Sequence, residues 1–160
     1  MNGRILIVED DKEISAFLSD FLTQNGYDTV TAFEGKTAEL LLKKEEFDIV
    51  LMDLMLPFIS GEQLMKDFRT YSQKPVIVIS AKSMMETRLE MLRVGADDYI
   101  LKPFDLNEVL VRIEVVLRRT GFFNEKGAEV LSSGKLVFNI EENTGIICEE
   151  LKQFRSDKVK

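Results

Sequence analysis

With 160 residues and a formal net charge of −7, the chain is long enough for one well-buried domain and too acidic for a surface that coats nucleic acid. It has no histidine and a single cysteine, Cys148, which excludes catalytic triads, histidine zinc sites, an internal disulfide and cysteine metal clusters. No apolar run is as long as a membrane span and no signal peptide is recognisable at the start, so we expect a cytoplasmic protein.

Five short apolar runs in the first 120 residues have the composition of β-strands. They are Ile5–Val8, Thr29–Ala32, Ile49–Met52, Val76–Ile79 and Tyr99–Leu101. The first and fourth runs, ILIV and VIVI, are continuously aliphatic rather than alternating. Strands that are buried on both faces of a parallel sheet have this composition, which predicts helices on both sides.

The segments between the strands have helical periodicity. The first helix carries one apolar stripe and stops at Gly26; the stripe consists of Ile14, Phe17, Leu18, Phe21 and Leu22. The last helix opens at Asp105 with Glu108 three residues later, which resembles a capping box, and its apolar face is Leu106, Val109, Leu110, Ile113 and Leu117. Five strand–helix repeats predict a doubly wound α/β domain over residues 1–120, with right-handed crossovers.

After Arg119 the pattern changes. Residues 121–134 mix Gly, Ser and charged residues and are typical of a linker. Residues 135–160 begin with an alternating run, KLVFNI, followed by turn residues and a second apolar run, IIC. This pattern predicts a short antiparallel β segment that is too small to form a core of its own.

Polar residues directly follow four of the five predicted strands. Glu9, Asp10 and Asp11 follow the first strand, Asp53 the third, Ser80 the fourth and Lys102 the fifth. Any one of them alone is an ordinary loop or cap residue. Because parallel α/β sheets bind ligands beyond the carboxyl ends of their strands, the set predicts one polar cleft.

The chemistry of such a cleft suits a metal ion and a phosphoryl group. Clustered carboxylates repel one another unless they hold protons or a cation, and oxygen ligands favour Mg²⁺. A lysine and a hydroxyl can bind phosphoryl oxygens, and a carboxylate can accept phosphate covalently as an aspartyl phosphate. Phosphoryl transfer needs mainly positioning and charge neutralisation, which this set supplies without histidine.

Four motifs, ILIVEDD, DIVLMDLMLP, VIVISA and GADDYILKPF, occur in order and at distances that closely resemble the receiver domain of two-component response regulators. The resemblance covers residues 1–120. It implies a flavodoxin-like fold with five parallel strands in the order 2-1-3-4-5.

The resemblance also implies the metal and phosphoacceptor residues. Asp53 stands at the position of the phosphoacceptor. Glu9 and Asp10 match the acidic pair that places Mg²⁺ together with Asp53 and the main-chain carbonyl of Met55. The pair is Glu-Asp rather than Asp-Asp, which is a variant common in one large subfamily.

The remaining roles follow from the same resemblance. Lys102 matches the lysine that contacts the phosphoryl group, and the Lys102-Pro103 bond resembles the cis peptide of the family. Ser80 matches the Ser/Thr whose hydroxyl follows the phosphoryl group. Tyr99 matches the aromatic switch residue, which would turn inward after phosphorylation; the alternative is a plain core aromatic. Asp11 has a weaker case and could simply cap the first helix.

The loop before Gly61 departs from the family pattern. Phe58, Ile59 and Ser60 are bulkier than the small residues usual there. We expect this difference to affect access of the kinase or the lifetime of the phosphate, and to leave the central chemistry unchanged.

The charged surface of helix 4, strand 5 and helix 5 resembles the dimerisation face of the OmpR/PhoB type of response regulator, which carries a winged-helix DNA-binding domain. Complementary charges occur at three places, where the alternative is an ordinary solvated face. The predicted pairs are Arg88 with Glu108, Asp98 with Arg112, and Asp97 with Arg118 or Arg119. The resemblance implies a homodimer on phosphorylation.

Residues 135–160 resemble the small N-terminal sheet that opens the winged-helix domain of this type. No recognition helix follows, so DNA binding would need a winged-helix domain that is absent from this chain. The chain is therefore expected to be a fragment of a transcription regulator, or alternatively a truncated, stand-alone receiver that acts through protein–protein contacts. In either case a partner sensor histidine kinase would supply the phosphoryl group to Asp53, because this chain has no histidine.

Two other functions suit the same fold less well. A magnesium-dependent phosphatase of the haloacid-dehalogenase type needs an acid two residues after its nucleophile, where this chain has Met55. Flavin binding needs a phosphate-cradling loop after the first strand, where this chain has the acidic EDD. We therefore do not expect an enzyme, beyond reaction with small phosphodonors and loss of its own phosphate.

Overall fold

A computed structural model describes residues 2–121. Strands and helices alternate throughout this part of the chain. They are β1 Gly3–Val8, α1 Lys12–Gln24, β2 Tyr27–Ala32, α2 Gly35–Lys44, β3 Ile49–Met52, α3 Gly61–Arg69, β4 Val76–Ser80, α4 Met85–Val94, β5 Asp98–Leu101 and α5 Leu106–Arg119. The predicted linker beyond Gly121 and the predicted β segment of residues 135–160 lie outside the described residues.

The five strands form one parallel sheet in the order β2-β1-β3-β4-β5. The register aligns Val8 of β1 with Met52 of β3, and Ser80 of β4 with Leu101 of β5. This arrangement confirms the doubly wound, flavodoxin-like fold predicted from the strand–helix repeats. Because the strands are parallel and in register, their carboxyl ends lie along one edge of the sheet.

The central strands are buried on both faces. Every residue of β3 and of β4 is buried, and the only polar one among them is Ser80. Continuous aliphatic runs are stable in this position because helices cover both sides of the sheet. None of the helices in the described part of the chain is long and apolar enough to cross a membrane.

The buried face of α1 differs from the predicted apolar stripe. Leu18 and Leu22 are fully buried as expected, but the third buried position is Ser15, while Phe17 remains 59% exposed. Ser15, Leu18 and Leu22 recur at helical spacing, so this face packs on the sheet. The periodicity predicted the helix correctly, but Phe17, which was predicted to lie on the buried apolar stripe, is exposed.

The start of α5 has the predicted cap in a simpler form. The Asp105 carboxylate accepts a hydrogen bond of 2.7 Å from the main-chain N–H of Asn107, and so caps the helix. Glu108 does not complete a capping box, because its carboxylate accepts from Arg112 one turn later, at 3.0 Å. Val109 and Ile113 are fully buried on the face that packs on the sheet.

Two serines on α1 should respond to truncation with opposite signs. Ser15 Oγ is buried and has no hydrogen-bond partner among residues 2–121, so Ser15→Ala should raise the free energy of unfolding by about 1 kcal/mol. Ser19 Oγ is 2.7 Å from Thr29 Oγ1, and Ser19→Ala should lower that free energy by up to about 1 kcal/mol. Urea unfolding of both variants measures the difference, and a destabilised Ser15→Ala variant would contradict this account.

Candidate functional site

The carboxyl edge of the sheet brings together three charged residues from three strands. Glu9 follows β1, Asp53 follows β3 and Lys102 follows β5. The ammonium group of Lys102 lies 2.9 Å from Glu9 Oε1 and 3.0 Å from Asp53 Oδ2, so one cation is shared by two carboxylates. The predicted site residues of these three strands therefore meet in one cluster.

Both carboxylates are buried, and main-chain N–H groups hold their second oxygens. Asp53 is 4% exposed and Glu9 is 3% exposed. Asp53 Oδ1 accepts from the N–H of Met55 at 3.1 Å, and Glu9 Oε2 accepts from the N–H of Asp11 at 3.1 Å. These bonds fix the orientation of each carboxylate, because both of its oxygens have a partner.

A third carboxylate makes the cluster suitable for a metal ion. Oxygen atoms of Glu9, Asp10 and Asp53 lie within 4.8 Å of one another, and Asp10 is exposed. Three carboxylates outnumber the one ammonium group of Lys102, which leaves an excess of negative charge. Hard oxygen ligands and this charge balance fit Mg²⁺, as the sequence predicted. The part of the Met55 carbonyl in metal binding stays a prediction.

The surroundings shift the pKa values of two of these groups upward. Burial raises the pKa of Glu9 above its ordinary 4.5, although the hydrogen bond from Lys102 opposes that shift. Burial by itself would lower the pKa of Lys102, but its hydrogen bonds to Glu9 and Asp53 outweigh this effect and raise it. The ammonium group is therefore held in its charged form.

Ser80 and Tyr99 both bind Lys82, a residue that sequence reasoning did not single out. Ser80 is fully buried, and its Oγ accepts from the N–H of Lys82 at 3.1 Å. The Tyr99 hydroxyl donates to the carbonyl of Lys82 at 2.8 Å. Tyr99 is already buried in this conformation, with 7% of its surface exposed, whereas we expected it to turn inward after phosphorylation.

Two smaller expectations hold. Asp11 caps α1, because its Oδ1 accepts from the N–H groups of Glu13 at 2.9 Å and Ile14 at 3.1 Å. The peptide bond between Lys102 and Pro103 is cis. Asp11 therefore has a structural role beside the acidic pair.

The predicted dimer-face residues are in part paired within one chain. Arg112 Nη1 donates to Asp98 at 2.8 Å, so this predicted pair can form without a second copy. Asp97 lies 3.5 Å from Arg69 and accepts from a main-chain N–H in β4, so within one chain its partners are other than the predicted arginines of α5. The guanidinium of Arg88 lies 5.9 Å from the centre of the Tyr99 ring.

Two ion pairs close to this surface were not predicted. Arg69 of α3 has only 11% of its side chain exposed, and besides Asp97 it binds the carbonyl of Gly95 at 2.8 Å. Lys82 Nζ lies 2.6 Å from Glu62 Oε2 at the start of α3. The sequence offered no signal for either pair, because the partners come from different helices and loops.

Comparison with known proteins gives a consistent result. The family model described as the response regulator receiver domain matches residues 5–114. Protein PetR from Rhodobacter capsulatus is 36% identical over 137 residues, which are 86% of this chain and 58% of that protein. Response regulator ArlR from Staphylococcus aureus is 40% identical over 116 residues, 72% of this chain and 53% of that protein. The chain thus spans little more than half the length of these curated relatives.

Solved structures of receiver domains have the same fold. The Francisella response regulator 1452 receiver domain has a TM-score of 0.71 and 36% identity, with 74% of this chain and 98% of that one covered. The BeF3-activated receiver domain of Klebsiella pneumoniae RstA has a TM-score of 0.69 and 33% identity, with 72% and 98% covered.

The raised pKa of Glu9 predicts how stability depends on pH without metal. Since the folded protein holds this proton more tightly than the unfolded chain, the ionised carboxylate reduces stability as the pH rises from 4.5 through the raised pKa. Glu9→Gln should therefore be more stable than the original chain at neutral pH in a chelator, and this advantage should shrink toward pH 4.5.

Urea unfolding at several pH values measures that advantage. Glu46→Gln, which removes an exposed carboxylate on the opposite edge of the sheet, serves as the control for loss of any negative charge. An advantage that is constant between pH 4.5 and neutral pH would contradict the assignment to Glu9.

Proposed function

The chain belongs to the response regulator receiver domain family, and on that basis we propose that Asp53 accepts a phosphoryl group from a partner sensor histidine kinase in a magnesium-dependent reaction. The observation that carries the proposal is the position of the Asp53 carboxylate. It is buried at the carboxyl edge of the sheet, 3.0 Å from the ammonium of Lys102 and beside the carboxylates of Glu9 and Asp10.

The chemistry follows from the groups in place. A carboxylate oxygen of Asp53 forms the new bond to phosphorus while the bond from phosphorus to the donor nitrogen breaks, and that nitrogen keeps the electron pair. Glu9, Asp10, Asp53 and the Met55 carbonyl would hold Mg²⁺, which would neutralise charge on the phosphoryl oxygens. Lys102 binds one phosphoryl oxygen through its ammonium, and the Ser80 hydroxyl donates to another.

The proposal extends to the longer protein. We place the chain in the OmpR/PhoB type, in which phosphorylation turns the α4–β5–α5 face toward dimerisation and a winged-helix domain then controls transcription. Relatives named as response regulators, of which this chain spans little more than half, support this extension. The alternative is a truncated or stand-alone receiver, which would act through protein–protein contacts without binding DNA.

An enzyme that turns over external phosphoesters is less well supported. The position two residues after Asp53 is Met55, whose exposed side chain has no proton to transfer to a leaving group. We therefore propose a phosphoacceptor that loses its own phosphate by hydrolysis, and that small phosphodonors can phosphorylate in place of the kinase.

Acetyl phosphate and Mg²⁺ should phosphorylate the chain once, at Asp53. The intact mass should increase by a single phosphoryl group, and Asp53→Asn should remove the increase because an amide is a poor nucleophile. A chelator in place of Mg²⁺ should reduce the yield at least about tenfold, since the phosphoryl charge would then lack its counter-ion.

Asp67→Asn, a substitution at a partly exposed position of α3, is the matched control and should be phosphorylated like the original chain. The proposal fails if the original chain gains no phosphate, or if Asp53→Asn gains as much.

Exchange of the charges of Arg88 and Glu108 tests the proposed dimer face. Arg88→Glu and Glu108→Arg should each weaken the phosphorylated dimer by at least about tenfold, because like charges would then face each other across the interface. The double swap should restore dimerisation, as measured by analytical ultracentrifugation after treatment with acetyl phosphate. Arg93→Glu on the same helix is the control, and an equal loss there would contradict the predicted pairing.

A further inference from the structure

Lys82 makes three polar contacts, each through a different group. Its N–H donates to Ser80 Oγ at 3.1 Å, and its carbonyl accepts from the Tyr99 hydroxyl at 2.8 Å. Its ammonium lies 2.6 Å from Glu62 Oε2. One residue therefore connects the hydroxyl at the phosphoryl site, the buried tyrosine of β5 and the first turn of α3.

The loop that contains Lys82 has few other restraints. It joins β4, which ends at Ser80, to α4, which begins at Met85. Met84 at the start of α4 provides no side-chain cap, and the whole helix buries only Met91. With so little apolar burial beyond it, the position of the loop depends on the polar contacts of Lys82.

Glu62 is a fixed anchor for this contact. The residue before it, Gly61, packs so closely on the strand end that an added Cβ would lie 2.6 Å from the Cα of Leu54. The N–H of Gly61 also donates to the carbonyl of Leu54 at 2.9 Å. Since Leu54 directly follows Asp53, the ion pair ties Lys82 to the same stretch of main chain that carries the phosphoacceptor.

We propose that Lys82 is a positioning residue, whose ion pair with Glu62 keeps the hydroxyls of Ser80 and Tyr99 bound to one fixed segment beside Asp53. The proposal rests on the proposed function where it concerns phosphate. With the ion pair intact, the Ser80 hydroxyl is held where it can donate to a phosphoryl oxygen. Without it, the loop moves more freely, the phosphoryl group loses that donor more often, and water reaches the phosphorus more easily.

A second ion pair provides a matched control. Lys66 and Glu90 join α3 to α4, at 3.5 Å, but their side chains are 49% and 53% exposed and contact neither Ser80 nor Tyr99. Substitution of Glu90 therefore removes one negative charge and one ion pair of α3 without disturbing Lys82.

The first experiment needs no phosphate. The protection factor of the Lys82 N–H against hydrogen exchange should be about threefold to tenfold lower in Glu62→Gln and Lys82→Met than in the original chain. Lys82→Arg keeps the cation and should retain the protection, and Glu90→Gln should match the original chain. Equal protection in Glu62→Gln and Glu90→Gln would overturn the proposal.

The second experiment measures the lifetime of the phosphate on Asp53 after loading with acetyl phosphate and Mg²⁺. The lifetime should be about threefold to tenfold shorter in Glu62→Gln and Lys82→Met than in Glu90→Gln and Lys82→Arg. An unchanged lifetime would overturn the effect on phosphate. If the original chain takes up no phosphate, the proposed function fails, while the exchange experiment still decides whether the ion pair positions Lys82.

Discussion

One ammonium group, that of Lys102, compensates two buried carboxylates, and the rest of the site depends on this shared interaction. Glu9 and Asp53 are almost fully buried, and each lies within 3.0 Å of the lysine nitrogen. Burial of an uncompensated carboxylate would cost several kcal/mol, so the lysine offsets a large part of the cost of burying both residues. Even so, one cation cannot balance these two charges and that of Asp10. The excess charge makes the cleft receptive to a metal ion.

The sheet topology is what makes this sharing possible. Glu9, Asp53 and Lys102 each follow a strand by one residue, and parallel strands in register place those positions at one edge. The order β2-β1-β3-β4-β5 puts the strands of Glu9 and Asp53 side by side, with β4 and its terminal Ser80 between Asp53 and Lys102. A charge cluster drawn from residues far apart in sequence is thus a direct result of strand order.

The sequence predicted what is encoded locally. The five strands were recognisable because double burial demands continuous aliphatic residues, and the site residues because they interrupt those runs at their ends. The buried face of α1 was harder to predict. Ser15 is buried and Phe17 is exposed, because which residues of a helix become buried depends on the surface that the helix covers. The contact of Lys82 with Glu62 joins residues 20 apart, and no periodic pattern marks such a pair.

The close packing of Gly61 on Leu54 has a consequence for how this protein can diverge. The loop of residues 55–60 leaves and re-enters the fold at almost the same point, since Gly61 N–H binds the Leu54 carbonyl at 2.9 Å. At its tip Phe58 is 88% exposed and has a φ of 70°. A loop closed at its base can exchange its outer residues without shifting Asp53. Substitutions at the tip can therefore change the surface that this loop presents while Asp53 keeps its place, so this surface is free to diverge between duplicated copies.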